Sequence, residues 1–522
     1  MKEAAVLQEG RKISIGSYAK RQTSYSRNVV ILAVCFSAVR LILAGYTELG
    51  TDESYYWLYT QRLRWNYFDH PAMVAVWGRF FSLNLLWQNE LFIRLGSIVS
   101  AACATWFIYK TTGTFSSARA GWYAAVLLNT SFYAGIVAGL FIMPDSPQLF
   151  FWTLSLWMVS RIIMVNDQSW TEWMVFGLAS GLCIMSKVHG AFIPFGFFLY
   201  ALLVKNKFLL LPQLYLAFFV CLLCLLPMVI WNWNHDFVTF HFQSNRIVVD
   251  GFHLNHVYFA SEWFGQLLMN NPINVVLISL SLTIGYRYIA TTHPSLLVLI
   301  FIGLPICLFL LLVSLFRSVF PHWSGPAYIT LIPVAAIWME HFKTKKFLHR
   351  WLSASISAFA LFIISWHGAI NYMPGTIGSK NELALGKGDI TLDRYGWEEA
   401  GEVFRRFYIG EIRRHRLPPN TPMVTHKWWG AHIEYYFCRK QGVPMISLGT
   451  ISEAGTYLWM NERYKQLDRS VALCVIPSDE YVDVTKVYGR WYKTISLIRT
   501  IDVFRNGKKA HRFYIYRLMG QR

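Results

Sequence analysis

The amino-acid sequence predicts an α-helical protein that crosses a membrane many times and carries a small α/β domain at its C-terminal end. Three observations lead there. Of 522 residues, 55% are hydrophobic, 17% aromatic and only 15% charged, with a mean hydropathy of +0.34, a balance foreign to soluble domains of this length. Apolar runs long enough to span hydrocarbon recur through the first 370 residues. Beyond residue 371 those runs stop, and short β-type stretches alternate with helical ones.

Taken in order, residues 1–28 form a basic tail, too long and polar for a cleavable signal, so the first span reads as an uncleaved anchor. About eleven spans follow, near 29–46, 92–110, 119–140, 147–165, 171–186, 189–204, 208–230, 272–290, 295–316, 323–340 and 351–370. The fifth and sixth are short. Together 29–370 form the predicted transmembrane domain, with a long first outer loop at 47–91. Tyr55, Tyr56, Trp57, Tyr59 and Trp65 in that loop suit a helix lying in the membrane interface. Residues 371–522 form the small α/β domain, with β-type runs at 471–476 and 513–516 and a helical stretch at 396–415.

Positive charge orients the chain. Lys2, Arg11, Lys12, Lys20, Arg21 and Arg27 precede the first span. Lys205 and Lys207 follow the sixth, and Lys343, Lys345, Lys346 and Arg350 follow the tenth. Eleven spans put all three groups on one side, which becomes the cytoplasmic one. The first loop, the turn at Asp145, Lys187, residues 231–271 and the α/β domain then face outward, placing the protein in a plasma (bacterial inner) membrane with its chemistry on the outer, periplasmic face.

The formal net charge is +19. Residues after 371 hold 24 of the 48 Lys and Arg against 15 acids. No nucleic-acid-reading signature accompanies them, so anionic lipid head groups are the expected partner rather than nucleic acid. Most cysteines fall in or beside spans as small apolar residues. Cys438 and Cys474 share the outer domain, and a disulfide between them is one expectation for an oxidising compartment.

Carboxylates are costly near hydrocarbon and tend to mark function there, which draws attention to Asp52-Glu53 just past the first span. Capping of the following helix by Thr51 or Asp52, with Glu53 in its first turn, is the structural alternative. Other polar residues fall on the same predicted face. They are Asp69-His70-Pro71, Asp145 in Pro144-Asp145-Ser-Pro147, Lys187 between two short spans, Arg246 closing an aromatic, amide-rich stretch, and His322 before Trp323. Asp145 can equally serve as a helix-start residue, and Lys187 can snorkel to the interface. No carboxylate neighbours Lys187 in sequence, so an anionic partner is expected for it. Carboxylates followed by cations suit proton removal from an acceptor while a phosphate leaving group is held.

The motifs Asp52-Glu53-Ser-Tyr-Tyr-Trp57, Tyr67-Phe-Asp-His-Pro71, Pro144-Asp-Ser-Pro147, Ser186-Lys-Val-His-Gly190 and His322-Trp-Ser-Gly-Pro-Ala-Tyr328 as a set resemble the bacterial branch of the dolichyl-phosphate-mannose protein mannosyltransferase superfamily. That is the GT-C glycosyltransferase class, which includes the lipid A aminoarabinose transferases. The resemblance covers roughly residues 30–340. It implies a membrane enzyme that moves a sugar from a polyprenyl-phosphate donor, with inversion, to an extracytoplasmic lipid, glycan or protein acceptor. By position, Asp52 matches the general base, Asp145 a second acid facing the same cavity, and Lys187 a donor-phosphate contact. Glu53 joins the candidate catalytic carboxylates. His70, Arg246 and His322 are further phosphate candidates, with Asp69 and Tyr55 as acceptor or loop residues. In the aminoarabinose branch the Asp69-His70 position commonly reads glutamate-lysine, so the resemblance does not reach to the sugar. No cofactor follows from the residues. A divalent cation (Mg, Mn or Ca) between Asp52 and Asp145 is an alternative to a metal-free site. The rival class is a transporter or flippase of lipid-linked substrates, which would place charges at the bilayer midplane in repeated halves; no repeat is visible here.

Overall fold

The computed structural model describes residues 2–165, 169–246, 248, 253–341, 345–464 and 466–522. Lys343 lies outside the described residues, as do the side chains of Lys2, Arg11, Lys12, Lys20, Arg21 and Lys345. The chain divides into two compact units. One comprises Met1–Ile42, His70–Ser82 and Arg94–Ala360; the other comprises Leu43–Asp69, Leu83–Ile93 and Leu361–Arg522.

The first unit is a helical bundle. Five helices among the described residues are long and apolar enough to cross a membrane: Thr23–Tyr46, Glu90–Phe115, Pro212–Trp233, Pro294–Ser314 and Lys346–Tyr372. The pair Pro272–Thr283 and Tyr286–Thr292, bent by 63°, makes a sixth if it counts as one span. Hydropathy alone suggested more, and the difference has local causes. The run at 119–140 stops as an α-helix at Thr130 and continues as a π turn, Tyr133–Val137. The helix Asp145–Met164 buries Asp145, Gln148, Thr153, Ser155 and Ser160 within the bundle, which lowers its hydropathy without exposing a polar face. The 189–204 run begins as a 3-10 turn, Val188–Ala191, before the helix Phe192–Leu203.

Several polar side chains inside this unit bond across helices, as a low-dielectric interior favours, although others, both amide atoms of Gln148 among them, have no partner among the described residues. Arg40 donates to Gly135 O at 3.0 Å and to Asn129 Oδ1 at 3.2 Å. Asn271 donates to Thr130 O and Ser355 O at 2.9 and 3.0 Å, and Trp152 Nε1 to Thr330 Oγ1 at 2.8 Å.

The second unit is built on a mixed five-stranded sheet. Its strands are β1 (Met423–Thr425), β2 (Met445–Ser447), β3 (Val471–Pro477), β4 (Tyr492–Arg505) and β5 (Lys508–Gln521), in the order β2-β1-β3-β5-β4. β1 runs parallel to β2 and β3, while β5 is antiparallel to β3 and β4. Asn506 and Gly507, both at positive φ (46° and 76°), make the two-residue turn that joins β4 to β5, the conformation such hairpins require. The helix Trp397–Arg413 occupies the predicted 396–415 stretch.

Two expectations are corrected in this unit. Tyr55, Tyr56, Trp57 and Tyr59 are buried in protein rather than laid on a membrane surface; of the five aromatics only Trp65 is exposed. Trp57 meets Tyr435 edge-on with centroids 5.0 Å apart, and Tyr55 meets Trp428 at 5.4 Å. An aromatic amphipathic helix reads the same whether its apolar face meets lipid or protein, and here it meets protein. Cys438 and Cys474 are both buried free thiols, so the expected disulfide is not formed.

Candidate functional site

The carboxylate loop belongs to the second unit. The helix Thr51–Gln61 starts after Gly50, and Glu53 closes its first turn by accepting from Gly50 N at 3.0 Å. Neither Thr51 nor Asp52 caps it. Glu53 is fully buried and also faces Arg394 at 3.5 Å, so its oxygens serve the loop's architecture. Asp393 supplies a cap from far along the chain: its Oδ1 accepts from Thr51 N and Thr51 Oγ1 at 2.9 and 2.7 Å. Glu48 does the same in the other direction, accepting from Trp397 N and Glu398 N at 2.9 Å each; burial pushes its carboxyl up to about 7. His432, stacked 3.7 Å from Trp397, bonds Leu49 O at 2.9 Å and lies 3.1 Å from Thr51 Oγ1.

This division of labour leaves Asp52 spare. Its side chain is exposed, yet protein rings it closely enough that lost hydration is the largest cause raising its carboxyl to about 6, followed by the like charge of Asp393. A carboxylate tuned toward neutrality that makes no hydrogen bond among the described residues suits a general base. Asp69, in the same unit, accepts from Tyr59 Oη. Tyr55 is buried, and its hydroxyl accepts from Thr456 N at 3.1 Å.

The other candidates gather in the first unit. Lys187 ends the helix Trp170–Ser186 in an extended conformation, and Asp145 opens the helix Asp145–Met164, where the helix dipole favours a negative charge. The two form a buried ion pair, with Lys187 Nζ at 2.9 and 3.0 Å from the two Asp145 oxygens. The expected anionic partner of Lys187 is therefore inside the protein. Tyr133, held in its π turn, donates to Asp145 Oδ1 at 2.9 Å. Gly325 of the His322–Tyr328 motif makes room for that ring, since an added Cβ would lie 2.2 Å from it.

His70, His189, His322 and Arg246 complete this group. Burial, then the Lys187 charge, push the His70 imidazole down to about 3. The same two causes push His322 down to about 4. Both are neutral at physiological pH and can donate one N–H without adding charge. Arg246 is framed by the faces of Phe242, Phe320 and Trp323, 4.9, 5.5 and 5.5 Å from its guanidinium, and forms no salt bridge among the described residues.

Sequence reading missed Asp393, Arg394, His432 and Glu48, which stand in no motif. For the divalent cation weighed between Asp52 and Asp145, no group of three metal-ligating side chains comes together among the described residues.

Comparison with known proteins follows from here. The family model described as dolichyl-phosphate-mannose-protein mannosyltransferase matches residues 69–231. The lipid A galacturonosyltransferase RgtD of Rhizobium johnstonii is 23% identical over 378 residues, which cover 71% of this chain and 75% of that protein. The crystal structure of ArnT from Cupriavidus metallidurans bound to undecaprenyl phosphate matches with a TM-score of 0.61 at 13% identity, covering 94% of this chain and 99% of that one. Its apo state gives 0.59 at 14% identity, covering 95% and 100%. The ArnT likeness establishes the fold, a multi-pass helical membrane architecture of GT-C type. With the family match and the RgtD likeness, it bears out the resemblance drawn from the motifs. Together these likenesses support a membrane glycosyltransferase, similar to RgtD and to ArnT, over the transporter reading.

Proposed function

We propose that this glycosyltransferase moves a sugar from a polyprenyl-phosphate donor to an extracytoplasmic acceptor, a lipid A-type glycolipid, another glycan or a protein, with inversion at the anomeric carbon. The observation that carries the reading is Asp52, the loop carboxylate left out of helix capping and raised to about 6. Asp52 takes the acceptor proton, the acceptor oxygen bonds the anomeric carbon, and the carbon–oxygen bond to phosphate breaks with its electron pair leaving on the polyprenyl phosphate. That leaving group is already a weak base and needs no acid. Arg246 holds the phosphate charge, sharing it with no carboxylate among the described residues. His70 and His322 donate neutral hydrogen bonds, and Lys187 contributes what remains of its charge beside Asp145. RgtD, whose name gives lipid A, and ArnT, captured with undecaprenyl phosphate, support donor and acceptor of these classes. The reading carries with it the eleven crossings, a first domain over 29–370 after the 1–28 tail, and an outward-facing 371–522 domain on an inner membrane.

The test is mass spectrometry of envelope glycolipids and glycoproteins from a deletion strain. A single lost hexose, pentose or uronic acid, restored by the wild-type gene but not by an Asp52→Asn copy, is the expected result; an unchanged profile overturns the reading.

Acid pH provides a second test. Turnover rises through about pH 6 and levels above it, because Asp52 must be ionised to accept the proton. Asp393→Asn keeps an acceptor for Thr51 but removes a like charge, which moves that limb to lower pH. A limb that stays in place in Asp393→Asn separates Asp52 from the titration.

The site also works without a resident divalent ion, because Lys187 already neutralises both oxygens of Asp145. Exhaustive chelation leaves turnover intact. Complete loss restored by Mg, Mn or Ca alone contradicts this.

A further inference from the structure

The second unit contains a groove of about 720 Å³ that lies away from Asp52 and its partners in the fold. One wall is the helix Trp397–Arg413, whose residues Val403, Phe407, Gly410 and Glu411 recur at helical spacing along one face; the other is the sheet edge formed by β4, with Arg517 from β5 behind it. Five arginines line it, Arg406, Arg414, Arg416, Arg499 and Arg517, against a single acid, Glu411.

The charge is only partly compensated: Arg406 lies 3.7 Å from Glu402, and the rest have one acid among them. Glu411 lies 3.7 Å from Arg414, 3.7 Å from Arg416 and 3.6 Å from Arg517, so one buried carboxylate is shared among three guanidinium groups, none at hydrogen-bonding distance. Arg517 Nε is buried with no hydrogen-bond partner among the described residues. Arg499 packs 5.1 Å over the Phe407 ring rather than against an acid. A helix C-terminus favours a cation at Arg414, but it gives no reason for five. At the middle of the groove Gly410 leaves the floor open, since an added Cβ would meet nothing within 4 Å.

We propose that this groove is a binding site for a group carrying two phosphates. Counting Glu402, which lies 3.7 Å from Arg406, five positive charges and two negative leave a formal excess of three, and two phosphomonoesters carry together about −3 to −4. Arginine is the side chain whose planar fork pairs phosphate oxygens two at a time, and Phe407 and Ile498 supply an apolar flank for whatever bears the phosphates. The proposal concerns binding alone and goes beyond sugar transfer, so it stands or falls independently of Asp52.

The experiment is isothermal titration of the purified full chain, in neutral detergent, with inorganic pyrophosphate. The expected result is saturable binding that weakens as salt is raised. In Arg414→Gln/Arg416→Gln binding weakens at least roughly tenfold, the scale of a lost charged hydrogen bond, whereas the charge-matched control Lys486→Gln/Lys493→Gln, on exposed residues outside the groove, binds as the parent does. Gly410→Phe keeps every charge but fills the floor, and it too abolishes binding while circular dichroism stays unchanged. Displacement of pyrophosphate by cardiolipin, a lipid carrying two phosphates, and not by phosphatidylcholine, identifies a lipid head group as the source; retention against both identifies a soluble phosphate, and either result supports the site. No saturable pyrophosphate binding, or equal loss in the groove and control variants, overturns it.

Discussion

Asp52→Asn removes nearly all turnover, a loss on the order of 100-fold to 10,000-fold for a missing general base, while the purified enzyme folds and binds lipid-linked donor as the parent does. The substitution is nearly isosteric, and the structure explains why folding is spared. The cap of the Thr51–Gln61 helix is Glu53 on Gly50 N, and the tertiary anchor is Asp393 on Thr51; Asp52 carries neither. Glu53→Gln provides the contrast. Its carboxylate is buried against Arg394 and Gly50 N, so its loss shows first as lowered thermal stability and only through that as lowered activity. Near-normal turnover in Asp52→Asn removes the assignment, and equal thermal destabilisation of both variants makes Asp52 a structural residue like its neighbour.

The sequence carried the membrane class and the motifs, because apolar runs and short polar signatures are local properties. It did not carry what depends on contacts between distant residues. Lys187 looked unpaired because no acid is near it in sequence, yet its partner Asp145 lies 42 positions away. The same blindness hid Asp393 and Glu48, which cap helices 342 and 349 residues from themselves. Glu53 and Asp52 were indistinguishable as a pair of acids in a first turn; only the hydrogen bond to Gly50 N separates the architectural carboxylate from the spare one. The helix interruptions after Thr130 and before Phe192 were hidden for another reason: a π or 3-10 turn costs an apolar run none of its hydropathy, so the window averages straight through it.

Lys187→Ala has the second large effect, and the ion pair changes what that effect means. Removing one partner of a buried pair leaves Asp145 charged and uncompensated, at a typical cost of about 3–5 kcal/mol, with Tyr133 Oη its remaining donor among the bonds described. The single variant is therefore expected to express poorly or lose thermal stability, and weak activity in it says nothing about phosphate. The double variant Asp145→Asn/Lys187→Ala removes both charges together and is expected to recover most of that stability. Donor binding in the double variant then isolates the phosphate contact. If Lys187 reaches the donor phosphate, binding stays weaker by about 1.5–3 kcal/mol, the worth of a charged hydrogen bond, and Arg246→Gln, which breaks no ion pair among the described residues, weakens it independently. If the double variant binds donor as tightly as the parent, Lys187 exists to neutralise Asp145, and the phosphate is left to Arg246 and the neutral imidazoles of His70 and His322.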